Sequence, residues 1–165
     1  MHPKRFYQDY LADNGLSPLS QELIQLIRVG DPRSVLEFGA GTGKHLKEFP
    51  RAKTFGIDLS LHNLIHANVK NGQNYFAIGD EDWLPKLQGF DVAFTCSVLD
   101  HIEDVDGIIK ELKRIAKRVY LAETNDTPGQ FYYPHDYESY GFRRTKFEWK
   151  STGDGATYHI WVCVE

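Results

Sequence analysis

Three glycines at every second position give the sequence its clearest chemical signal. The apolar segment VLEF, residues 35–38, runs directly into GAGTG, residues 39–43. Glycine adopts a positive φ and lets a ligand approach backbone N–H groups closely, and open α/β folds bind ligands at the carboxyl edge of their sheet. The pattern predicts a strand, a tight turn and a site for a flat or anionic group. A tight turn without a ligand is the alternative.

A carboxylate at the end of the next apolar segment strengthens this prediction. Asp58 ends KTFGID, residues 53–58. One carboxylate can accept hydrogen bonds from both hydroxyls of a ribose, so its pairing with the glycine loop indicates an adenosine-containing cofactor. Alone, Asp58 would equally cap the following helix. The dinucleotide pattern G-x-G-x-x-G needs a glycine at position 44, where Lys44 stands, so a pyrophosphate pocket is not indicated.

Two later apolar segments are each followed by residues that can accept or donate a proton. SVLDHIED, residues 97–104, supplies Asp100 and His101. His101 is our preferred general base because imidazole titrates near neutral pH, and a local hydrogen bond at the start of a helix is its competing role. Further residues that could contact a substrate or exchange a proton with it are Glu123, Asn125, Asp126, Tyr132, Tyr133 and His135. Of these, we expect His135 to lie on the surface.

The composition is that of a globular protein without a nucleic-acid footprint. The 165 residues are most economically one domain, with 41% hydrophobic and 25% charged residues. A net charge of −4 argues against a nucleic-acid partner, because phosphate-backbone binding needs a basic surplus. RRTKFEWK, residues 143–150, is the basic exception, and its alternation predicts a strand with a solvated basic face.

The chain carries no segment typical of membranes, signal peptides or metal sites. No apolar stretch approaches the length of a membrane span, which predicts a cytoplasmic protein without a membrane partner. We expect a monomer or a homodimer. Cys96 and Cys163 lie in apolar runs without metal-ligand spacing. We therefore expect two buried thiols, no disulfide and no metal.

Strand-like apolar segments alternate with amphipathic helical patterns, which predicts a parallel sheet covered by helices on both faces. The predicted strands are 34–38, 53–58, 74–78, 90–98 and 119–123. The fourth is long and apolar, so we expect it at the centre of the sheet. The last two apolar runs flank STGDG without room for a helix, which predicts an antiparallel hairpin.

Four helices are predicted between these strands. The first begins at Ser17-Pro18, an N-cap followed by a first-turn proline, and ends before Gly30. The second runs from the glycine loop to about Phe49. The third follows Ser60 with a stripe that extends to Val69, and the fourth carries the apolar stripe from residue 105 to 115.

Four stretches in this order, VLEFGAGTG, GIDLS, GDEDWLP and FDVAFTCSVLDHI, resemble the successive motifs of class I S-adenosylmethionine-dependent methyltransferases. The resemblance covers roughly residues 34–123. It implies a doubly wound, mostly parallel seven-stranded sheet with an antiparallel C-terminal hairpin, the Rossmann-like methyltransferase fold. The single domain would comprise an N-terminal lid or helical segment (1–30), a cofactor-binding core (34–123) and a substrate loop with the hairpin (124–165).

The resemblance also implies a cofactor site and a role for most of its residues. Glu37 would orient the methionine amino group, Asp58 the ribose and Asp80 the adenine amine, although Asp80 can instead be a turn residue. The full set is Glu37, Gly39, Ala40, Gly41, Gly43, Asp58, Leu59, Asp80, Glu81, Cys96 and Ser97. Trp83 would stack on the adenine or simply pack. Tyr7 and Tyr10 lie in a segment that in relatives often folds over the cofactor as a lid, and a helix that docks its aromatic side on the core is the alternative.

The predicted activity is methyl transfer from S-adenosylmethionine to an oxygen or nitrogen of a small molecule. Holding the nucleophile, methyl group and sulfur in line is the main requirement, with a base where the acceptor must lose a proton. The alternatives are an RNA or protein acceptor, and a cofactor-binding protein without turnover. A nucleotide-dependent oxidoreductase is a further alternative, weakened by Lys44.

Overall fold

The computed structural model describes residues 15–66, 74–125 and 132–164. Within these ranges seven strands form one sheet in the order β3-β2-β1-β4-β5-β7-β6. Strands β1 to β5 pair in parallel, and β7 is antiparallel to both β5 and β6. The strands are β1 (Ser34–Phe38), β2 (Lys53–Asp58), β3 (Asn74–Ile78), β4 (Phe90–Cys96), β5 (Ala116–Thr124), β6 (Arg143–Lys150) and β7 (Thr157–Val164). The predicted sheet, with its central fourth strand and terminal hairpin, is confirmed.

The α-helices of the described ranges are α1 (Pro18–Arg28), α2 (Leu61–His66) and α3 (Asp106–Ile115). The predicted start of α1 is confirmed, since the Ser17 hydroxyl accepts a hydrogen bond from the Ser20 N–H at 3.1 Å. Helix α1 packs on one face of the sheet and α3 on the other. None of these helices is long and apolar enough to cross a bilayer.

Alternation along β1 decides which side chains lie under α1. Val35 belongs to the buried cluster that contains α1, whereas Leu36 and Phe38 belong to the cluster that contains α3. Because successive strand residues point to opposite faces, Glu37 lies on the α1 side. Its side chain is completely buried there.

The segment after the glycine loop differs from the prediction. Instead of an α-helix that runs to Phe49, it contains only a short 3₁₀ helix, Leu46–Glu48. Gly39, Gly41 and Gly43 have φ values of 78°, 54° and 72°, which a right-handed helix cannot contain. Pro50 then disfavours helical backbone at the residue before it.

Smaller differences concern element ends. Strand β4 stops at Cys96 because Ser97 adopts a left-handed φ of 55°. Strand β5 begins at Ala116, where α3 ends, and so starts earlier than predicted. Helix α2 ends its described part at His66, and the end of its predicted stripe, Asn68 and Val69, lies outside the described residues.

Candidate functional site

A cavity of about 560 Å³ lies at the carboxyl ends of β1, β2 and β4. Small-molecule sites typically have volumes of about 300–1,000 Å³, so its size suits a bound ligand. Of the residues predicted to bind a cofactor, those that line the cavity are Gly39, Ala40, Gly41, Asp58, Leu59, Asp80, Glu81, Cys96 and Ser97. Glu37 and Gly43 are not part of its lining.

A hydrogen bond to the Asp58 side chain links the end of β2 to the glycine loop. Its Oδ2 accepts a hydrogen bond from the Gly41 N–H at 2.7 Å, and its Oδ1 accepts from the Ser60 N–H at 2.8 Å and from Asn63 Nδ2 at 3.1 Å. A carboxylate offers about four acceptor positions. The half-buried Asp58 side chain therefore fixes the loop and keeps room for a donor from a ligand in the cavity.

Neighbouring side chains explain two of the loop glycines. A Cβ atom at Gly39 would lie 2.3 Å from Cγ2 of Val98, and one at Gly43 would lie 2.5 Å from Cζ of Phe76. Both glycines also have a positive φ. Protein side chains therefore lie directly against Gly39 and Gly43. A ligand in the cavity would lie against residues 39–41.

Glu37 begins a buried chain of hydrogen bonds that sequence analysis did not find. Its Oε1 lies 2.5 Å from Nδ1 of His45, whose Nε2 lies 2.9 Å from the Ser20 hydroxyl. Both His45 and Ser20 line the cavity. The other Glu37 oxygen, Oε2, is buried without a hydrogen-bond partner among the described residues. Burial raises the pKa of Glu37, and the adjacent His45 opposes that increase.

Asp80, which follows β3, is a turn residue and also lines the cavity. The Asp80 side chain accepts a hydrogen bond from the Asp82 N–H at 3.2 Å and caps the 3₁₀ helix Glu81–Lys86, yet Asp80 also lines the cavity. Trp83 is not part of the cavity lining. It packs against Phe55, with ring centroids 6.4 Å apart, and donates its Nε1–H to the Ile78 carbonyl at 3.1 Å. Of its two interpretations, the packing role is the one seen.

The two cysteines are free and half-buried, and each packs against a buried hydrophobic cluster, so the expectation of buried core thiols holds in part. Cys96 lines the cavity at the end of β4, and burial raises the pKa of its thiol well above the ordinary range. A thiol of this kind stays neutral and is a poor nucleophile. Among the described residues, no group of His, Cys, Asp and Glu is arranged to hold a metal ion.

The opposite end of the cavity is lined by side chains from separate segments. His101 follows β4, Tyr132 precedes the hairpin, and Trp149, Asp154 and Tyr158 belong to the hairpin. The rings of His101 and Tyr132 lie 4.7 Å apart. Oδ2 of Asp154 accepts hydrogen bonds from the hydroxyls of Tyr132 at 3.3 Å and Tyr158 at 2.9 Å. We call these five residues the acceptor end.

Asp100 lies behind His101 and is only 1% exposed. Its Oδ1 is 3.5 Å from Nε2 of His101, an ion-pair distance, and neither Asp100 oxygen has a hydrogen-bond partner in the described part of the chain. Burial raises the pKa of Asp100 to about 7. A carboxyl group with this pKa is poised to take up or release a proton at neutral pH.

Glu123 holds the turn that carries Asp100 and His101. Its side chain is fully buried and accepts hydrogen bonds from the Thr95 hydroxyl at 2.6 Å and from the backbone N–H groups of Val98 and Leu99 at 2.9 and 3.1 Å. Burial raises the pKa of Glu123, and the nearby Asp100 raises it further. Two carboxyl groups in one buried region resist ionising together.

The remaining predicted residues lie elsewhere. His135 is half-buried, and its Nε2 lies 3.1 Å from the Leu99 carbonyl and 2.9 Å from the Ile102 carbonyl, so the expectation of a surface position is wrong. It braces the turn after β4 through carbonyl groups that no sequence motif marks. The exposed Asn125 and the half-buried Tyr133 are not part of the cavity lining. Tyr7, Tyr10 and Asp126 lie outside the described residues.

This chain is similar to known proteins in sequence and in fold. A family model described as a methyltransferase domain matches residues 5–154. The methyltransferase domain of bacterial CtHen1 is 15% identical, with 88% of this chain and 97% of that chain covered and a TM-score of 0.66. The N-terminal domain of EvdMO1, solved with SAH bound, is 14% identical, with 90% and 82% covered and a TM-score of 0.70. The YcgJ protein from Bacillus subtilis is 18% identical, with 79% and 71% covered and a TM-score of 0.65. Identities this low show likeness of fold.

Proposed function

Because this chain belongs to the methyltransferase domain family and is a class I enzyme that uses S-adenosylmethionine, we propose that it methylates an oxygen or nitrogen atom of a small molecule. The observation that carries the proposal is one continuous cavity with two chemically different ends. The Gly41–Asp58 pair lies at one end, and His101 with Asp100 behind it lies at the other.

The residues at the first end fit the polar groups of the cofactor. Asp58 would accept from a ribose hydroxyl, and Asp80 and Glu81 would contact the adenine, with Leu59 packed beside it. Oε2 of Glu37, which has no hydrogen-bond partner among the described residues, is a buried acceptor that suits the methionine amino group, directly or through water. When bound, S-adenosylmethionine supplies an activated methyl group on a sulfonium ion.

The residues at the second end would position the acceptor and receive its proton. His101 lines the cavity with a side chain that is 15% exposed, and Asp100 is the carboxyl group behind it. A base that a carboxylate orients and supports is a common arrangement for proton removal. Glu123 would hold this pair in place through the backbone of the turn.

Calorimetric titration with S-adenosylhomocysteine and with NAD tests the cofactor assignment. We expect a micromolar dissociation constant for S-adenosylhomocysteine, a binding free energy of about −8 kcal/mol, and no heat of binding for NAD. Binding of NAD alone, or of neither ligand, would contradict the proposal. A screen of small molecules with labelled methyl donor then separates an active enzyme from a binding protein without turnover.

A further inference from the structure

The acceptor end of the cavity is aromatic. The rings of Trp149 and Tyr158 lie 5.6 Å apart with an interplanar angle of 37°, and those of His101 and Tyr132 form the second pair. All four side chains line the cavity. The faces of tryptophan and tyrosine rings carry negative partial charge and attract organic cations. This end therefore favours a ligand that is both apolar and positively charged.

The fixed charge at the acceptor end is negative. Asp154 lies at its exposed rim, and although partial burial opposes this, hydrogen bonds from the Ala156 N–H and from neighbouring hydroxyls lower the pKa of Asp154. Lys44 is the only lysine or arginine among the described residues that line the cavity. Its Nζ lies 3.5 Å from the Gly15 carbonyl. Among the described residues of the cavity lining, a carboxylate or phosphate acceptor would face Asp154 and find Lys44 as its one lysine or arginine partner.

Asp100 adds an independent observation. It is buried beside the Glu123 carboxyl group and the Thr124 backbone, and its Oδ1 lies 3.5 Å from Nε2 of His101 in the cavity wall. Two buried carboxyl groups side by side hold a proton more readily than they carry two charges. Asp100 thus supplies a proton acceptor one residue behind the surface that a ligand would touch.

The basic strand β6 does not offset this charge. Arg143, Arg144 and Lys146 line a separate open hollow that shares no lining residue with the cavity among the described residues. Glu138 and Glu148 share that hollow with them. The basic residues therefore belong to another surface and do not serve the acceptor end.

We propose that the acceptor is an organic amine, an inference that rests on the proposed methyltransferase function. The amine enters as an ammonium ion held by the aromatic rings and Asp154, and gives one proton to His101, backed by Asp100. The nitrogen lone pair then forms a bond to the methyl carbon. The carbon–sulfur bond breaks, and its electron pair stays on sulfur as a neutral thioether. The product is an N-methylated ammonium ion.

Four probes of similar size test this inference: benzylamine, benzyl alcohol, benzoate and benzyl phosphate. Each is titrated calorimetrically into the full chain saturated with S-adenosylhomocysteine, and each is offered as acceptor with labelled S-adenosylmethionine. We expect benzylamine to bind at least tenfold more tightly than the other three and to be the preferred acceptor. Preference for benzoate, phosphate or alcohol, or binding of none of the four, overturns the inference.

Two variants sharpen the test. Asp154→Asn should weaken benzylamine binding threefold to tenfold with an unchanged affinity for S-adenosylhomocysteine, whereas Glu148→Gln, at a 68% exposed side chain outside the cavity, should change neither. An unchanged benzylamine affinity in Asp154→Asn would remove Asp154 from the site. Should that variant fail to fold, the probe preference of the unmodified chain decides alone. Failure of S-adenosylhomocysteine itself to bind would instead contradict the proposed function.

Discussion

At the cofactor end of the cavity a backbone N–H meets a carboxylate across two neighbouring parallel strands, whereas at the acceptor end side chains meet across turns and the hairpin. Gly41 and Asp58 are 17 residues apart; Gly41 follows β1, Asp58 ends β2, and the two strands pair in register. Tyr132 and Asp154 are 22 residues apart, and His135 and Leu99 are 36 apart. The first end is thus built by regular secondary structure and the second by irregular packing.

The two ends also differ in electrostatics. Asp58 satisfies most of its acceptor capacity with donors from the loop and α2. Asp100 is almost fully buried, and this burial raises its pKa although hydrogen bonds from neighbouring groups oppose the increase. A satisfied carboxylate is suited to binding, whereas an unsatisfied one near neutral pKa is suited to proton transfer. Variants at the two ends should therefore change different measured quantities.

The largest expected effect is on turnover at the acceptor end. His101→Ala should lower kcat about 100-fold, because general base catalysis typically contributes about 10²–10⁴-fold, while the dissociation constant of S-adenosylhomocysteine changes less than twofold. Initial rates with labelled methyl donor and calorimetry measure the two quantities. The matched control is His62→Ala, at an exposed histidine on α2. Full activity in His101→Ala would exclude this residue as the base.

Next in size is an effect on binding at the cofactor end. Asp58→Ala should weaken S-adenosylhomocysteine binding by about 1–3 kcal/mol, because buried ribose hydroxyls and the Gly41 N–H lose a charged acceptor. Calorimetry measures the change, and Asp82→Ala, at an exposed carboxylate of the next segment, is the control. An unchanged dissociation constant would count against the ribose role of Asp58.

Stability against pH tests the electrostatic contrast. The pKa of Asp100 rises from 3.8 to about 7 on folding, so the folded state holds this proton more tightly than the unfolded state. The resulting stability is fully present below pH 3.8 and is lost as pH rises through about 7.

Asp100→Asn cannot titrate at this position and should lack that loss. Between pH 5 and pH 8 the unmodified chain should lose about 2 kcal/mol more of its free energy of unfolding than Asp100→Asn does. Urea denaturation at both pH values measures the difference. Because Asp100 also raises the pKa of Glu123, the difference between the two proteins reports the titration of the Asp100–Glu123 pair. Parallel pH profiles would show that Asp100 is not the titrating group.

The smallest expected effect concerns the chain from Glu37 to Ser20. His45→Asn should weaken S-adenosylhomocysteine binding about threefold to tenfold by releasing the Glu37 carboxylate, roughly 1 kcal/mol for a lost hydrogen bond. Methylthioadenosine, which lacks the amino-acid group, should bind as before. Equal weakening of both ligands would mean that His45 only supports the fold.

Sequence alone determined the elements whose signals are local. Strands β1, β2 and β3 have the predicted bounds, and Asp58 lies beside the glycine loop in the cavity wall. Apolar alternation, turn residues and strand order act over a few residues or repeat regularly, so they can be recognised without coordinates. The cofactor end was predictable for the same reason.

Tertiary structure decided the rest. The partnership of His45 with Glu37, the burial of Asp100 and the bracing role of His135 each depend on which face of a strand or turn packs against a distant segment. The positive φ angles of Gly39, Gly41 and Gly43, which the sequence permits but does not require, likewise keep the loop itself out of the predicted helix. Burial and its pKa shifts are properties of packed neighbours, and the linear order of residues does not state which neighbours those are.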